Sequence, residues 1–418
     1  MLVKTILNSI EKFKSFIFSK VYYEATYGKE RVVIVDVIGR KNSKGECPKC
    51  GKRCSTYDTQ PYRDYEYVPL WGIKVFFRYA PRRTNCKEHG IHVEKLPWSD
   101  GKEQLTKTYK LFLAKWAKRL SWKETARIFG TSWESVYRSI KWVVDYGLEY
   151  RDWDNVKQIG VDEIAVFKGH KYLTCVYQLC NGVRRLLWCG KDRTTKTITQ
   201  FFDEFGKERS EKLEFVMSDM WRPYLNVIKK RAKNAINILD RFHIMKKFNI
   251  ALDEVRRKEV KALNKKDKKN ALINSRWLLL KKPTNLTEKQ TARLSQLLKI
   301  NLSSVKAYLM REDFQRFWAY KTKTWAEKFL KDWITRTMKS KLDPMKKVAK
   351  MLRRHKKLIL NWFLANGQMS SGAVEGLNNK AKLAIRKAYG FRTLTCLQVA
   401  LYHQLGQLKE PPVTHRFC

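Results

Sequence analysis

The sequence contains no long apolar run. No stretch approaches the roughly 20 consecutive apolar residues of a membrane-spanning helix, although 44% of the 418 residues are hydrophobic. Residues 1–20 interrupt their apolar positions with Lys and Glu every few residues, which is typical of an amphipathic segment and not of a signal peptide. These two absences predict a cytoplasmic protein that has no membrane partner.

Acidic residues are also scarce. The chain has 40 Asp and Glu against 87 Lys and Arg, so its formal net charge is +47. A charge of this size implies a polyanionic partner, and its spread along the whole chain favours a long nucleic acid over a small anion. A membrane surface is the weaker alternative, because the basic residues are not gathered on one short helix. The length allows two or three domains with cores of their own.

The nine cysteines do not form a disulfide pattern, because their number is odd and several of them cluster in short loops. Two loops each place two metal-binding residue types three positions apart and continue with Gly. The four candidate ligands are Cys47, Cys50, Cys86 and His89. This spacing predicts a tetrahedral Zn²⁺ site in a zinc-ribbon DNA-binding domain within residues 1–100. Cys54 and His92 are alternative ligands, and free cytosolic cysteines are the alternative to a metal site.

Residues 101–150 have the pattern of a helix-turn-helix DNA-binding domain. Ser121 with Glu124, and Thr131 with Glu134, each have the Ser/Thr-x-x-Glu form of a helix-capping box, and Gly130 lies between them as the turn. The second helix would present its exposed face to the major groove of DNA. The predicted DNA-contacting residues of this helix are Trp133, Tyr137 and Arg138. A pair of short capped helices without a DNA-binding role remains the alternative.

From residue 151 the pattern changes to strands. The predicted strands are 159–167, 172–179, 184–189, 213–217 and 235–239, with helices at 195–205 and 221–230. Three antiparallel strands followed by two strand–helix units is the order of a ribonuclease H-like domain. Asp162 lies in the first strand, and Asp219 and Asp240 follow the fourth and the fifth. A basic segment at about 250–365 keeps helical apolar spacing and predicts a helical insertion.

The segment SSGAVEGLNNKAKLAIRKAYGFR at 370–392 contains one acid, Glu375. On a helix, Asn379, Lys382 and Arg386 would lie on the same side as this carboxylate. Such a face can hold a metal ion at one end and follow a phosphate backbone along the rest. A solvated basic helix with an incidental Glu is the alternative.

Taken together, these motifs resemble a known family. They are CPKCG, RRTNCKEHG, SWKETARIFGTSWESVYR, IGVDE, SDMWRPY, DRFHI and the 370–392 segment. In this order they resemble the ISL3-type bacterial insertion-sequence transposases, which carry a DDE catalytic centre, and the resemblance spans nearly the whole chain. The chain departs from the family at His89, where the family more usually has a Cys. A His ligand preserves tetrahedral zinc.

The resemblance implies that Asp162, Asp219 and Glu375 are the three catalytic carboxylates. They would hold two Mg²⁺ (or Mn²⁺) ions, which stabilise the attacking and leaving oxygens of an in-line phosphodiester displacement. Asp240 would support this site or contact DNA, and His243 would be structural or contact phosphate. The implied organisation is a mixed α/β chain, in which a ribonuclease H-like catalytic domain at 151–410 follows the zinc ribbon and the helix-turn-helix.

The expected function is therefore that of a DNA transposase, associated with the nucleoid and acting as a homodimer or higher oligomer on DNA. It would bind the terminal inverted repeats of its insertion sequence and catalyse metal-dependent strand cleavage and transfer into target DNA. A catalytically inactive or domesticated transposase that acts as a DNA-binding regulator is the alternative. A ribonuclease H-like nuclease acting on RNA or structured DNA is a third, which the motifs for reading duplex DNA disfavour.

Overall fold

The computed structural model describes residues 3–25, 31–167, 171–180, 182–264, 272–365 and 371–413. These residues form three β-sheets and many helices, which confirms the predicted mixed α/β class. The strands are β1 (Phe16–Ala25), β2 (Arg31–Gly39), β3 (Gly45–Glu46), β4 (Arg53–Thr59), β5 (Arg63–Leu70), β6 (Ile73–Tyr79), β7 (Arg82–Cys86), β8 (Gly90–Val93), β9 (Gln158–Phe167), β10 (Lys171–Gln178), β11 (Arg185–Lys191), β12 (Phe215–Ser218) and β13 (Ile236–Leu239).

The helices are distributed along the whole chain and are most frequent after β13. They are α1 (Val3–Ile10), α2 (Lys107–Arg119), α3 (Trp122–Ile128), α4 (Trp133–Glu149), α5 (Thr195–Phe205), α6 (Lys207–Glu211), α7 (Arg222–Arg231), α8 (Arg241–Asn264), α9 (Arg276–Leu280), α10 (Glu288–Leu298), α11 (Ser303–Gln315), α12 (Lys323–Met338), α13 (Asp343–Arg354), α14 (Lys356–Leu360), α15 (Ser371–Lys387) and α16 (Leu394–Leu405). Among the described residues, none of these helices is long and apolar enough to cross a membrane.

Two four-stranded sheets form the first part of the chain. One has the order β1-β2-β6-β5 and the other β3-β4-β7-β8. In the first sheet the side chains of β6 alternate, so that Val75, Phe77 and Tyr79 are buried on one face. Trp98 closes this core, with its ring edge-on to Tyr79 at a centroid distance of 5.4 Å. The second sheet carries the cysteine loops.

Helices α2, α3 and α4 follow these sheets. Ser121 and Glu124 form both bonds of the predicted capping box at the start of α3. The predicted box of Thr131 and Glu134 is wrong, because the N-cap of α4 is Ser132, whose side chain accepts a hydrogen bond from the backbone N–H of Ser135. The α4 cap therefore lies one residue later than the Ser/Thr-x-x-Glu pattern predicts.

A five-stranded sheet with the order β11-β10-β9-β12-β13 lies at the centre of the second part. β9 pairs antiparallel with β10 and parallel with β12, and β12 pairs parallel with β13. Aromatic side chains of α5 and α7 cover one face of this sheet and form its core with Trp153. These strands and helices agree with the predicted ones to within about two residues at most ends.

The segment after β13 is helical, as predicted, and has a core of its own. Phe248 of α8, Phe314 of α11 and Trp333 of α12 pack ring against ring, with centroids 4.6–5.4 Å apart. The basic residues at 265–271 lie outside the described part of the chain.

The chain divides into two compact units, Met1–Asp152 with Ala381–Cys418, and Trp153–Lys380. The first unit contains both four-stranded sheets and α1–α4, and the second contains the five-stranded sheet and α5–α14. The domain limits 1–100, 101–150 and 151–410 stay predictions.

Candidate functional site

The four predicted zinc ligands form one cluster. The ligand atoms of Cys47, Cys50, Cys86 and His89 all lie within 4.8 Å of one another. The Sγ atoms of Cys50 and Cys86 are 3.7 Å apart, and the Nδ1 atom of His89 is 3.7 Å from Cys86 Sγ and 4.0 Å from Cys47 Sγ. Zinc–sulfur bonds of about 2.3 Å in a tetrahedron place two sulfur atoms about 3.8 Å apart. The donor set and its spacing therefore fit Zn²⁺.

Two hairpins bring these ligands together. In the loop before β4, the backbone N–H of Gly51 donates to the carbonyl oxygen of Cys47, and Gly51 takes a left-handed φ of 71°. Gly90 takes a φ of 74° after the second loop, where a side chain would be strained. The hydrogen bond with His89 lowers the pKa of Cys86 to about 6, which favours the thiolate that binds metal. The alternative ligands Cys54 and His92 are not members of the cluster.

The strand register places three acids at one level of the five-stranded sheet. Met217 of β12 is paired with Gly160 of β9, so Asp219, two residues further on, is level with Asp162. Ser218 is paired with Leu239 of β13, so Asp219 is also level with Asp240. Both Asp219 and Asp240 are buried, and Asp162 is largely so. Parallel pairing of neighbouring strands thus gathers acids that are separated by up to 78 residue positions in the sequence.

Asp162 is held by side chains from two helices. Its Oδ2 atom accepts a hydrogen bond of 2.5 Å from Asn378 Nδ2 on α15, and its Oδ1 atom lies 3.5 Å from His243 Nε2 on α8. Tyr177 fixes the amide of Asn378 by donating to its Oδ1 atom at 2.7 Å. Burial opposes the charge of His243, but the hydrogen bond to Asp162 and the charges of Asp162 and Asp240 outweigh it and raise the pKa of His243.

Asp219 has a cationic partner. Its Oδ1 atom accepts a hydrogen bond of 2.8 Å from the backbone N–H of Trp221, and its Oδ2 atom pairs with the guanidinium of Arg193. The same guanidinium pairs with Glu163 at 2.9 Å and lies 4.7 Å from the ring centroid of Trp221. Glu163 follows Asp162 on β9 and so projects to the opposite side of that strand. Arg193 therefore links Glu163 to Asp219.

Burial and neighbouring negative charges raise the pKa values of two acids in this region. Burial raises the pKa of Glu163 to about 7, and the charges of Asp219 and Asp162 add to this effect. Burial also raises the pKa of Asp240 to about 6, with further contributions from the charges of Asp162 and Glu375. Asp162, Asp219 and Asp240 thus lie at one level with only partial neutralisation, an environment that a bound divalent cation would relieve. Carboxylate oxygens are the kind of donor that Mg²⁺ and Mn²⁺ prefer.

Glu375 lies on α15, one helical turn from Asn378 and exposed to solvent. The same helix exposes Asn379, Lys382 and Arg386. Among the described residues, the oxygens of Asp162, Asp219 and Glu375 are not all within 4.8 Å of one another.

A glycine of β9 allows α15 to approach the sheet. A Cβ atom on Gly160 would lie 2.7 Å from a methyl group of Val374 and 2.8 Å from a methyl group of Leu179. Because Val374 precedes Glu375, the missing side chain at position 160 sets how closely this acid approaches the strand that carries Asp162.

The predicted DNA-contacting residues of α4 differ in exposure. Trp133 and Arg138 are exposed. Tyr137 is half-buried, and its ring packs against that of Trp122 on α3 with a centroid distance of 5.4 Å.

Sequence reasoning missed several residues of the carboxylate site. Helical spacing placed Asn379 on the side of Glu375, but it gave no signal that Asn378 would face the sheet and contact Asp162. Glu163 was visible in the IGVDE motif, and strand alternation was the signal that it has a separate partner. Arg193 follows β11 without a motif of its own, so the sequence offered no signal for it. His243 was assigned a structural or phosphate-contacting role, and it lies beside Asp162.

Comparison with known proteins shows that this chain is similar to insertion-sequence transposases. A family model of ISL3-type DDE transposases, described as "Transposase", matches residues 159–401. The transposase for insertion sequence element IS1001 of Bordetella parapertussis is 27% identical over 351 residues, which are 83% of this chain and 85% of that protein. The transposase for insertion sequence element IS1557 of Mycobacterium tuberculosis is 28% identical over 385 residues, 86% of each chain.

The cysteine cluster leads to a first prediction. Cys47→Ser removes a buried ligand, so we expect the bound zinc to fall from about one ion per chain to nearly none, with loss of the β3-β4-β7-β8 sheet. Trp153–Lys380 should stay folded. Metal analysis and limited proteolysis measure these outcomes. Cys54→Ser is the control and should retain zinc, and an intact wild-type protein without zinc would contradict the assignment.

The raised pKa of Asp240 leads to a second prediction. In EDTA, Asp240→Asn should raise Tm by several degrees at pH 8, because it removes a charge whose burial costs on the order of 2–3 kcal/mol. The pKa of Asp240 rises from 3.8 to about 6, so this cost is absent below pH 4 and complete above pH 6. The gain in Tm should therefore vanish near pH 4.

Thermal unfolding followed by circular dichroism measures the difference. The exposed Asp332→Asn in α12 is the matched control and should leave Tm unchanged at both pH values. A lower Tm for Asp240→Asn at pH 8 would show that the Asp240 charge stabilises the metal-free fold.

Proposed function

The chain belongs to the ISL3 family of insertion-sequence transposases, and from this premise we propose that it binds the terminal inverted repeats of its element and cuts and joins DNA. The observation that carries the catalytic part is the register that brings Asp162, Asp219 and Asp240 to one level, with Glu375 within electrostatic reach of Asp240. Acids in this density, on a strongly basic chain, suit phosphodiester chemistry that depends on divalent metal ions.

The catalytic unit is proposed to have a ribonuclease H-like fold. The strand order β11-β10-β9-β12-β13, with antiparallel pairing among the first three strands and parallel pairing among the last three, supports this assignment. The helical segment between β13 and α15 is then an insertion between the second and third catalytic acids. It lengthens the chain without interrupting the sheet.

Asp162, Asp219 and Glu375 are proposed to hold two Mg²⁺ or Mn²⁺ ions. When bound, these ions stabilise the attacking and leaving oxygens of the displacement. Asn378 orients Asp162 by donating to its Oδ2 atom, and Tyr177 holds that amide in turn. Arg193 and the backbone N–H of Trp221 orient Asp219. These contacts limit the rotation of both carboxylates, so the ligands are prepared before the metal binds.

The reaction proceeds in two displacements at phosphorus. In the first, water attacks a phosphodiester at the end of the element, the P–O3′ bond breaks, and a 3′-hydroxyl is released. In the second, that 3′-hydroxyl attacks a phosphodiester of the target DNA and releases a target 3′-hydroxyl. Asn379, Lys382 and Arg386 lie on the exposed side of α15 and would contact the DNA backbone.

Recognition of the terminal repeats is assigned to the first unit. The zinc cluster would stabilise a zinc ribbon, and α3 and α4 would form a helix-turn-helix whose exposed Trp133 and Arg138 approach the major groove. The half-buried Tyr137 would support α4 and contact DNA with its edge. A homodimer or higher oligomer would be needed to hold both ends of the element.

Glu375→Gln tests the catalytic proposal. It keeps size and helix propensity but removes the charge of a metal ligand, so strand cleavage should fall by several orders of magnitude. Affinity for the repeat duplex should stay nearly unchanged, because the proposed reading residues are in the first unit. Cleavage of a labelled repeat duplex in Mg²⁺, beside a binding assay, measures both quantities.

The control for this variant is Glu327→Gln on α12, whose carboxylate is paired with Lys356 and should have no catalytic role. It should cleave normally. Full cleavage by Glu375→Gln would remove this residue from the active site. Binding without cleavage by the wild-type protein would favour the alternative function, a DNA-binding regulator.

Arg138→Ala tests the reading helix. Loss of a base contact should lower the preference for the terminal repeat over random duplex by about tenfold to a hundredfold. Binding to either duplex should weaken steeply with salt, since the chain carries a net charge of +47. Fluorescence anisotropy at several salt concentrations measures both effects, and an unchanged preference would exclude Arg138 from sequence reading.

A further inference from the structure

The turn between β5 and β6 has an unexpected residue at its tip. Leu70 is paired with Ile73, so Trp71 and Gly72 form a two-residue hairpin turn. Their φ angles are 52° and 80°, both left-handed, as in the type I′ turn that usually contains Asn-Gly. The Trp71 side chain is 85% exposed.

Neither the turn nor the core explains a Trp at this position. A left-handed φ is unfavourable for residues other than Gly, Asn and Asp, and a bulky side chain in it is uncommon. Exposure of a large indole to water adds a second cost. Asn at position 71 would suit the backbone better and expose less apolar surface. The side chain is therefore better explained by a contact outside the fold.

The β5–β6 hairpin is hydrogen-bonded to the segments beside the helices that follow it in the chain. Lys74, at the start of β6, donates a hydrogen bond of 2.8 Å to the carbonyl oxygen of Gly130, the residue that turns the chain between α3 and α4. On β5, the backbone of Glu66 exchanges hydrogen bonds with residues 104 and 106, just before α2. The hairpin is thus in direct contact with the turn that precedes α4.

The surroundings of Trp71 favour DNA over a protein partner. A stable protein interface buries about 800 Å² on each side, but the flanking Leu70 and Ile73 are half-buried and do not extend the apolar surface. A single aromatic side chain on a rigid turn is the form of an apolar wedge, which enters the minor groove and partly unstacks a base step. The chain charge of +47 also favours a nucleic acid as the partner.

We propose that Trp71 is a second DNA contact, inserted into the minor groove beside the segment that α4 binds. This proposal rests on the proposed function, because that function assigns α4 to the neighbouring major groove. Trp71 would add affinity and local distortion of the duplex, whereas Arg138 would supply base selectivity. The two residues therefore make separable contributions.

The test compares Trp71→Asn with the wild-type full-length protein. Asn accepts the left-handed turn, so Tm should stay equal or rise, while affinity for a terminal-repeat duplex should fall about tenfold. The slope of affinity against salt concentration should not change, because no cation is lost. Trp71→Phe keeps an aromatic ring and should recover part of the affinity. A loss of affinity without a loss of stability cannot come from damage to the fold.

Trp325→Ala is the matched control, since this indole on α12 is also exposed, at 59%, and should not affect affinity. An affinity of Trp71→Asn within twofold of wild type would overturn the proposal, while Arg138→Ala would still test the reading helix. Dissociation of a DNA-free oligomer by Trp71→Asn, seen by sedimentation, would also overturn it in favour of a contact between copies. A wild-type protein that binds no duplex would instead overturn the proposed function.

Discussion

The carboxylate site depends on the register of three neighbouring strands. Parallel pairing of β9 with β12, and of β12 with β13, fixes Asp162, Asp219 and Asp240 at one level whatever the length of the segments between them. The register also decides the environment of each acid, because strand alternation sends Glu163 away from Asp162 and towards Arg193. A shift of one residue in β12 would exchange Asp219 for Ser218 and leave Arg193 paired with Glu163 alone.

This arrangement is electrostatically unfavourable by itself, and the rest of the unit stabilises it. Carboxylates buried beside one another resist ionisation, as the raised pKa values of Glu163 and Asp240 indicate. Arg193 and His243 provide partial neutralisation. The ring-packed cores under the sheet and within the helical segment supply the burial that holds the strands together. A site of this kind would attract cations, because its fold keeps the acids close.

Much of this organisation was predictable from local pattern, and the remainder was not. Helix α5 and strand β9 followed from apolar periodicity, and the box at Ser121 followed from short-range capping chemistry. Before α4, Thr131 and Ser132 are adjacent and both are suitable N-cap residues. The sequence pattern favoured Thr131, but α4 begins after Ser132, which is the N-cap. Arg193 and Asn378 act on acids far away in the sequence. Only the three-dimensional pairing of strands and helices identifies such partners, because no local rule connects them.

The carboxylate site does not tolerate a side chain at position 160 of β9. In any other residue at position 160, the Cβ atom would clash with Val374, which precedes Glu375. Gly160 has no side chain that could take part in the chemistry. A methyl group at this position would nevertheless displace the part of α15 that carries Glu375. If Glu375 is a metal ligand, as proposed, then among copies of an insertion sequence that drift without selection a substitution at this codon would abolish transposition while leaving the proposed DNA-binding residues intact. On the proposed function, such a copy would still bind the element ends and would compete there with its active relatives.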